Sequence, residues 1–537
     1  MKRILSWMLT LTLLLSLSAC SGKQAEPENP TQPNTQTESE GKQEVPVPPD
    51  GPETPQTPLE DNPDHSLVVL SGSDSLSEWS DGTPLCRSDW QTLALSPESA
   101  QRFPALATAL GELNLETQKW GMNFVVENLP YARELFEEGD EYFYGLTHTD
   151  TYTVQRADEV ILSIRGDQGD YTGGVHPNYG VYGINLDPET GEVVNLSDVL
   201  TTTDTLNGIL EEKLRAKYPD EPFSSLAEML ADYEPDAYTW TMNYQGVTVY
   251  FSPYEIASYA AGLMSVTLWF DEAPELFRDR YLHAPQQGYA MALPVGYPVE
   301  VDLDGTDAVR DEILISFLAD EYDMFRPVIT LNDMQLHDEE QYSYEMWPYL
   351  VQVEGKHYIY LECMIENDYR ILSVYDLNAD EIRLVDRVYG SGFHTLWFEE
   401  GAYGVGRTEV FTNPGGFVLD TRLDMLGTMT GTKEYHVDPD SGMPVEDSYF
   451  FELPGDRTPL TTLVSLEVEI VPEFEPETLP EGANLWFLRT DGHSYVDMRM
   501  EDGRECRITV EAGPEGWERY VNGMPETDCF DGLLYAG

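Results

Sequence analysis

Nine consecutive residues, Asp170-Tyr171-Thr172-Gly173-Gly174-Val175-His176-Pro177-Asn178, hold the densest set of special side chains in this 537-residue sequence. His176 has the ordinary imidazole pKa near neutrality and is the residue here best suited to proton transfer. A carboxylate that could work with it is Glu255, in Pro253-Tyr254-Glu255-Ile256-Ala257. With His176 as base and Glu255 as acid, the chemistry would be hydrolysis. No serine or cysteine lies near His176 in a nucleophile elbow. The competing reading makes His176 a hydrogen-bonding anchor of a shaped loop and Glu255 the cap of a turn. Gly173 and Gly174 permit positive φ, and Pro177 pushes His176 towards an extended backbone. A second group, Asp302, Asp304 and Asp307 around Gly305, has the alternating carboxylates of a calcium loop. An acidic hairpin turn without metal is the alternative there.

These residues need a frame, and period-two runs flank the loop: Thr151–Val154, Glu159–Ile164 and Val181–Leu186 read as strands, as does Tyr142–Tyr144. Val193–Leu196 reads as the strand returning from an Asp187–Gly191 turn. Upstream, Ser96-Pro97 begins a helical pattern through Phe103, Leu106, Leu110 and Leu113, which runs to Glu138 with a break near Pro130. Leu206–Leu214 and Leu226–Leu230 are further amphipathic helices, and Gly246–Phe251 and Leu263–Phe270 are strands. Helices among antiparallel strands make residues 66–285 an α+β domain. Gly288–Val299 reads as a connector. Residues 286–537 then carry strand runs at Lys356–Ile365, Tyr369–Leu377, Glu381–Val388, Gly416–Leu423, Leu463–Val471, Leu485–Arg489, Tyr495–Met500 and Glu505–Val510, a β-rich region of propeller-like or sandwich-like type.

The N-terminus is an address. Lys2 and Arg3 precede the apolar run Ile4–Leu17, and Leu17-Ser18-Ala19-Cys20 reads as a lipobox that would place lipid on Cys20. Residues 21–65, rich in Pro, Glu, Gln, Thr and Asn, form an acidic tether that cannot bury a core. The expected location is the extracytoplasmic face of the cell membrane, held by lipid alone. A net charge of −67 disfavours nucleic acid and favours cationic partners or divalent cations. With Cys20 lipidated, Cys86, Cys363, Cys506 and Cys529 remain, without metal spacing. Cys506 and Cys529 flank a turn-rich segment and are a disulfide candidate in an exported chain.

The Tyr171–Asn178 loop, the Asn185-Leu186-Asp187…Thr190-Gly191 hairpin and the segment from Phe251-Ser252-Pro253 to Ala260-Ala261-Gly262 together resemble one family. It is the paired domain of unknown function in the ectodomain of RsiV-type anti-sigma factors and in the N-terminal part of PdaC-type peptidoglycan deacetylases. The resemblance covers residues 90 to 275. It implies an α+β fold and, by way of the RsiV type, binding of lysozyme. A sigma-binding segment is not found, and no two histidines stand four apart as a PdaC-type metal site requires. The expected function is a non-catalytic binding or sensing module for a wall-associated protein, lysozyme-like, or for a glycan. Its contacts would come from Tyr171, Gly173, Gly174, His176, Asn178, Tyr254, Glu255 and Tyr259. The alternatives are a wall-directed hydrolase using His176 and Glu255, and a calcium-stabilised structural or adhesive protein.

Overall fold

The computed structural model describes residues 67–536, apart from 140–142, 224, 306–309, 320–323, 380, 401–402, 456–457 and 515–517. The leader, Cys20, the tether, Tyr142 and Asp307 lie outside the described residues. The chain is mostly β, 48% strand and 18% helix, with an α+β N-terminal region and a β-rich C-terminal region. The later sheets are arranged as in a sandwich, so the propeller-like alternative is set aside.

The first two strands, β1 (Val69–Ser80) and β2 (Thr83–Leu95), form a long hairpin. Its tip is Asp81-Gly82, with φ of 48° and 80°, the positive pair that a two-residue hairpin turn needs to match strand twist. Ser96 then caps α1 (Pro97–Arg102), its hydroxyl accepting the Ser99 amide at 3.2 Å. The helical run breaks at Phe103, not near Pro130. Phe103 precedes Pro104 and takes φ −119°, ψ 63°, because a proline ring clashes with a helical residue before it. From Pro104, α2 runs 35 residues to Glu138 with Pro130 inside it. Its face of Leu106, Leu110, Thr117, Gly121, Val125 and Ala132 is buried and lies chiefly on β2. Packing on that scale outweighs the one hydrogen bond lost at Pro130.

Three antiparallel strands follow, β3 (Leu146–Ala157), β4 (Leu162–Tyr171) and β5 (Asn178–Leu186). Phe143 and Tyr144, expected in a strand, precede β3 and belong to none. β3 lies parallel to β2, a pairing made possible by the crossover through α2. Past β5, Val193 makes a single bridge to Leu186 in place of the expected returning strand. The chain there turns into α3 (Leu196–Val199), which opens on an Asn195–Asp198 capping box.

A second layer contains α4 (Leu206–Lys217), α5 (Leu226–Ala231) and the three-stranded sheet β6 (Thr239–Met242), β7 (Gly246–Phe251) and β8 (Met264–Trp269). Its core packs Leu206, Leu210 and Leu214 on Trp240, Val247 and Val249. The two sheets meet where β5 passes β6. A side chain at Gly183 would stand 1.9 Å from the Trp240 carbonyl oxygen, and Asn185 Nδ2 donates to that same oxygen at 2.9 Å.

Residues beyond 285 complete the first sheet. Thr395–Glu400 and Tyr403–Glu409 add on to β1, giving seven strands. The expected connector contains a strand, Tyr289–Ala292, at the edge of a five-stranded sheet. In its central strand, Lys356–Met364, Tyr358 and Tyr360 face the core shared with β1–β5. Ile359, Leu361 and Cys363 face a core shared with the four-stranded sheet that contains Ile313 and Ile329. The period of two thus joins three sheets. A 12-stranded sheet closes the chain around a fourth core.

Candidate binding site

β4 and β5 are joined by the glycine-rich loop, with Asp170 and Asn178 as the last cross-strand pair. Gly173 and Gly174 take φ of 92° and 103°, values closed to most side chains, and Tyr171 Oη donates to the Gly174 carbonyl at 3.3 Å. The turn leaves Val175 99% exposed at its tip. His176 is exposed and Pro177 buried. His176 Nδ1 donates to the Pro177 carbonyl at 2.7 Å, which fixes the tautomer with the proton on Nδ1.

The Pro253–Gly262 segment braces this loop from behind. Tyr259 stacks on His176, ring centroids 4.1 Å apart and planes at 27°, and its hydroxyl donates to the same Pro177 carbonyl at 2.8 Å. Tyr179 and Tyr254 pack against Tyr259 at 5.9 and 5.6 Å. Ser252 Oγ accepts the Val181 amide of β5 at 3.2 Å. Tyr254 is 67% exposed and takes φ 73°, an uncommon conformation for a bulky residue that often marks a working surface.

Glu255 accepts the Ser252 amide at 2.8 Å, closing the turn. The surrounding polypeptide pushes its pKa up, while the Ser252 amide pulls it back; the residue itself keeps solvent contact. Tyr171, Gly173, Gly174, His176, Asn178, Tyr254, Glu255 and Tyr259 are therefore brought to one end of the sheet. His176 and Glu255 each bond within their own segment, and among the described residues no hydrogen bond joins them. The arrangement presents an apolar tip at Val175 backed by the rings of His176, Tyr259 and Tyr254.

Sequence reasoning missed what lies beneath the loop. His148, Asp150 and Tyr152 alternate along β3 and so share a face, which is the face covered by α2. Asp170 turns inward to His148 Nδ1 at 2.7 Å. Tyr182 Oη donates to Asp150 at 2.5 Å, and Tyr152 meets Thr117 of α2 at 2.5 Å. Burial pushes the Asp150 carboxyl up to about 7, against the opposing pull of Tyr182 and His148. The alternation His-x-Asp-x-Tyr was the available signal.

A second group of titratable side chains lies at the other end of the same sheet. His394 Nδ1 bonds Asp420 at 2.7 Å, and burial raises Glu409 to about 7. Glu409 lines a cavity of about 40 Å³ with Phe393, Phe411 and Phe417, room for little more than a water molecule.

The acidic loop is drawn into ion pairs. Asp302 accepts the Gly305 amide at 2.8 Å and pairs with Arg310 at 2.5 Å, and Arg310 also grips Asp271. Among the described residues no three His, Cys, Asp or Glu side chains converge as a metal-binding group. Cys506 and Cys529 stand here as two separate buried thiols. Cys506 faces Met498 and Ile470 across its strands, and the Cys529 thiol donates to the Val521 carbonyl at 3.7 Å.

Residues 197–271 match a family model described as "Protein of unknown function (DUF3298)". The matched DUF3298 residues include the Phe251–Gly262 brace and begin after the Tyr171–Asn178 loop. Among solved structures the chain is similar to a DUF3298 family member from Bacteroides fragilis at 16% identity, covering 40% of this chain and 94% of that one, with a TM-score of 0.32. It is also similar to a DUF3298 family protein from Pseudomonas aeruginosa at 15% identity, covering 42% and 100%, with a TM-score of 0.30. No curated protein matches the sequence.

Proposed function

We propose that the chain is a lipid-anchored, extracytoplasmic binding module without catalytic activity, whose Tyr171–Asn178 loop recognises a cell-wall-associated protein or glycan. The observation that carries this reading is the braced tip. Val175 is 99% exposed on a loop held from behind by the Tyr259 ring and hydroxyl. An exposed apolar residue on an ordered loop gains contact area at little conformational cost when a partner covers it. Tyr254, packed on Tyr259 at 5.6 Å, offers a rigid apolar face with a polar end, suited to protein or sugar. The RsiV-type resemblance and a net charge of −67 favour lysozyme, a cationic enzyme, as the protein partner, since opposite charge speeds encounter. Lipid on Cys20 and an extended residue 21–65 tether would place this face away from the membrane.

Calorimetric titration of the chain from Leu67 onward, against lysozyme and against peptidoglycan fragments, tests the reading. Heat of binding that vanishes in Val175→Asp supports it. No heat with either ligand, at low and at moderate salt, rules it out.

A further inference from the structure

We propose that His148, Asp150, Asp170 and Tyr182 form a proton-responsive latch on the Tyr171–Asn178 loop. This inference rests on the binding role given to that loop and concerns its regulation. Both arms of the hairpin are tied to β3 by side chains. On one arm, Asp170, the last paired residue of β4, reaches His148 at 2.7 Å. On the other, Tyr182 of β5 reaches Asp150 at 2.5 Å. His148 is 1% exposed and Asp150 3% exposed. The His148 ring stacks on Phe124 of α2 at 5.4 Å, and its Nε2 makes no hydrogen bond among the described residues.

The groups facing Asp150 come from every neighbouring element. β3 itself supplies His148 and Tyr152, β4 supplies Asp167 and Asp170, and β5 supplies Tyr182. α2 supplies Glu116 and Thr117, which act on Tyr152. β2 offers the neutral Ser88 and Trp90, in register with His148 and Asp150. Asp167 is held by Arg165 at 2.6 Å, whereas Asp170 has His148.

Burial makes Asp150 a neutral acid on the acid side of neutrality and an anion on the alkaline side. Burial is the chief force against the anion; Tyr182 and His148 favour it, and the charges of Asp167 and Asp170 oppose it to a lesser degree. Of these carboxylates, Asp170 is the root of the loop. As pH rises through neutrality, the buried charge therefore favours opening the hairpin to water where the loop begins, with Asp170 adding repulsion, and the presented tip loses its fixed shape. A charge event inside the sheet is converted into order or disorder at its end.

Hydrogen exchange of the segment 168–180, in the whole chain without ligand and corrected for intrinsic rates, reads the latch directly. Protection is expected to fall about tenfold between pH 6 and pH 8, the equivalent of one pK unit of coupling. In Asp150→Asn it should stay at its pH 6 level throughout. A flat wild-type profile, or the same fall in the variant, overturns the latch. Should Asp150→Asn fail to fold, Tyr182→Phe removes the hydrogen bond that holds the Asp150 pKa down, and the fall should move to higher pH. An unmoved midpoint overturns the proposal. Because no ligand is present, these outcomes do not depend on whether the loop binds lysozyme or glycan.

Discussion

The phenol ring of Tyr182 lies where a side chain at Gly166 would be, with its Cζ 2.3 Å from the position of a Cβ there. Gly166 faces Tyr182 across the β4–β5 pair, so the ring can cross the sheet surface and reach Asp150. Gly166→Ala must displace it. The expected cost is about 1–3 kcal/mol of stability from overpacking, with further loss if the Asp150 carboxyl is left without its donor. Denaturant unfolding measures the first. Gly180→Ala is the control, since its nearest contact would be Ser252 Oγ at an ordinary 3.5 Å.

Asp150 predicts a pH dependence of stability. Its pKa is about 7 in the fold against a reference of 3.8, so between those values the native state holds a proton that the unfolded chain has released. Its contribution to stability is therefore greatest below pH 3.8 and falls as pH rises to 7. At 1.36 kcal/mol per unit the span is up to about 4 kcal/mol. Asp150→Asn should raise stability at pH 7 by roughly 1–4 kcal/mol and flatten this part of the profile. Urea midpoints at pH 5, 6, 7 and 8 check the slope.

Tyr259 has two separable duties. Tyr259→Phe keeps the ring on His176 and deletes the bond to the Pro177 carbonyl, which still accepts from His176. A loss of about 0.5–1.5 kcal/mol is expected. Tyr259→Ala removes the stack as well and should cost more, by about 0.5–1.5 kcal/mol for the aromatic pair beyond the area lost. Thermal unfolding orders the two variants, and equal losses would show that the stack contributes nothing.

The thiols give a chemical check. Cys506 and Cys529 are buried and separate, and burial raises the Cys506 thiol to about 12, well away from the reactive thiolate. Alkylation of the unreduced chain should be slow in buffer and complete in denaturant at both positions, read by mass spectrometry. A missing adduct pair that appears only after reduction would show a bridge.

Much of the fold was legible where local chemistry decides it. Ser96-Pro97 marks a helix start, and Leu206, Ile209, Leu210 and Leu214 mark a helix, because capping and a 3.6-residue period are encoded within a few positions. The loop was legible as a shaped turn, and its meeting with Pro253–Gly262 came from recognising three motifs together. Other features depend on register. Nothing in the spacing of Gly166 and Tyr182 shows that they face each other, nor that Asp150 is sealed under α2. The hairpin at Asp81-Gly82 carries a plain turn signal in its dipeptide. The apolar pair Val193-Val194 after a turn does not by itself separate a returning strand from a single bridge leading into a capped helix.

The seven-stranded sheet also sets an order in time. β1 is paired on one side by β2, made immediately after it, and on the other by Tyr403–Glu409, more than three hundred residues downstream. A chain synthesised N-terminus first must carry β1 as an open edge while all the intervening polypeptide is still arriving. Such an edge invites pairing with a stranger. The partner strand, and whatever chaperones meet the chain before it, decide whether the sheet is finished or lost.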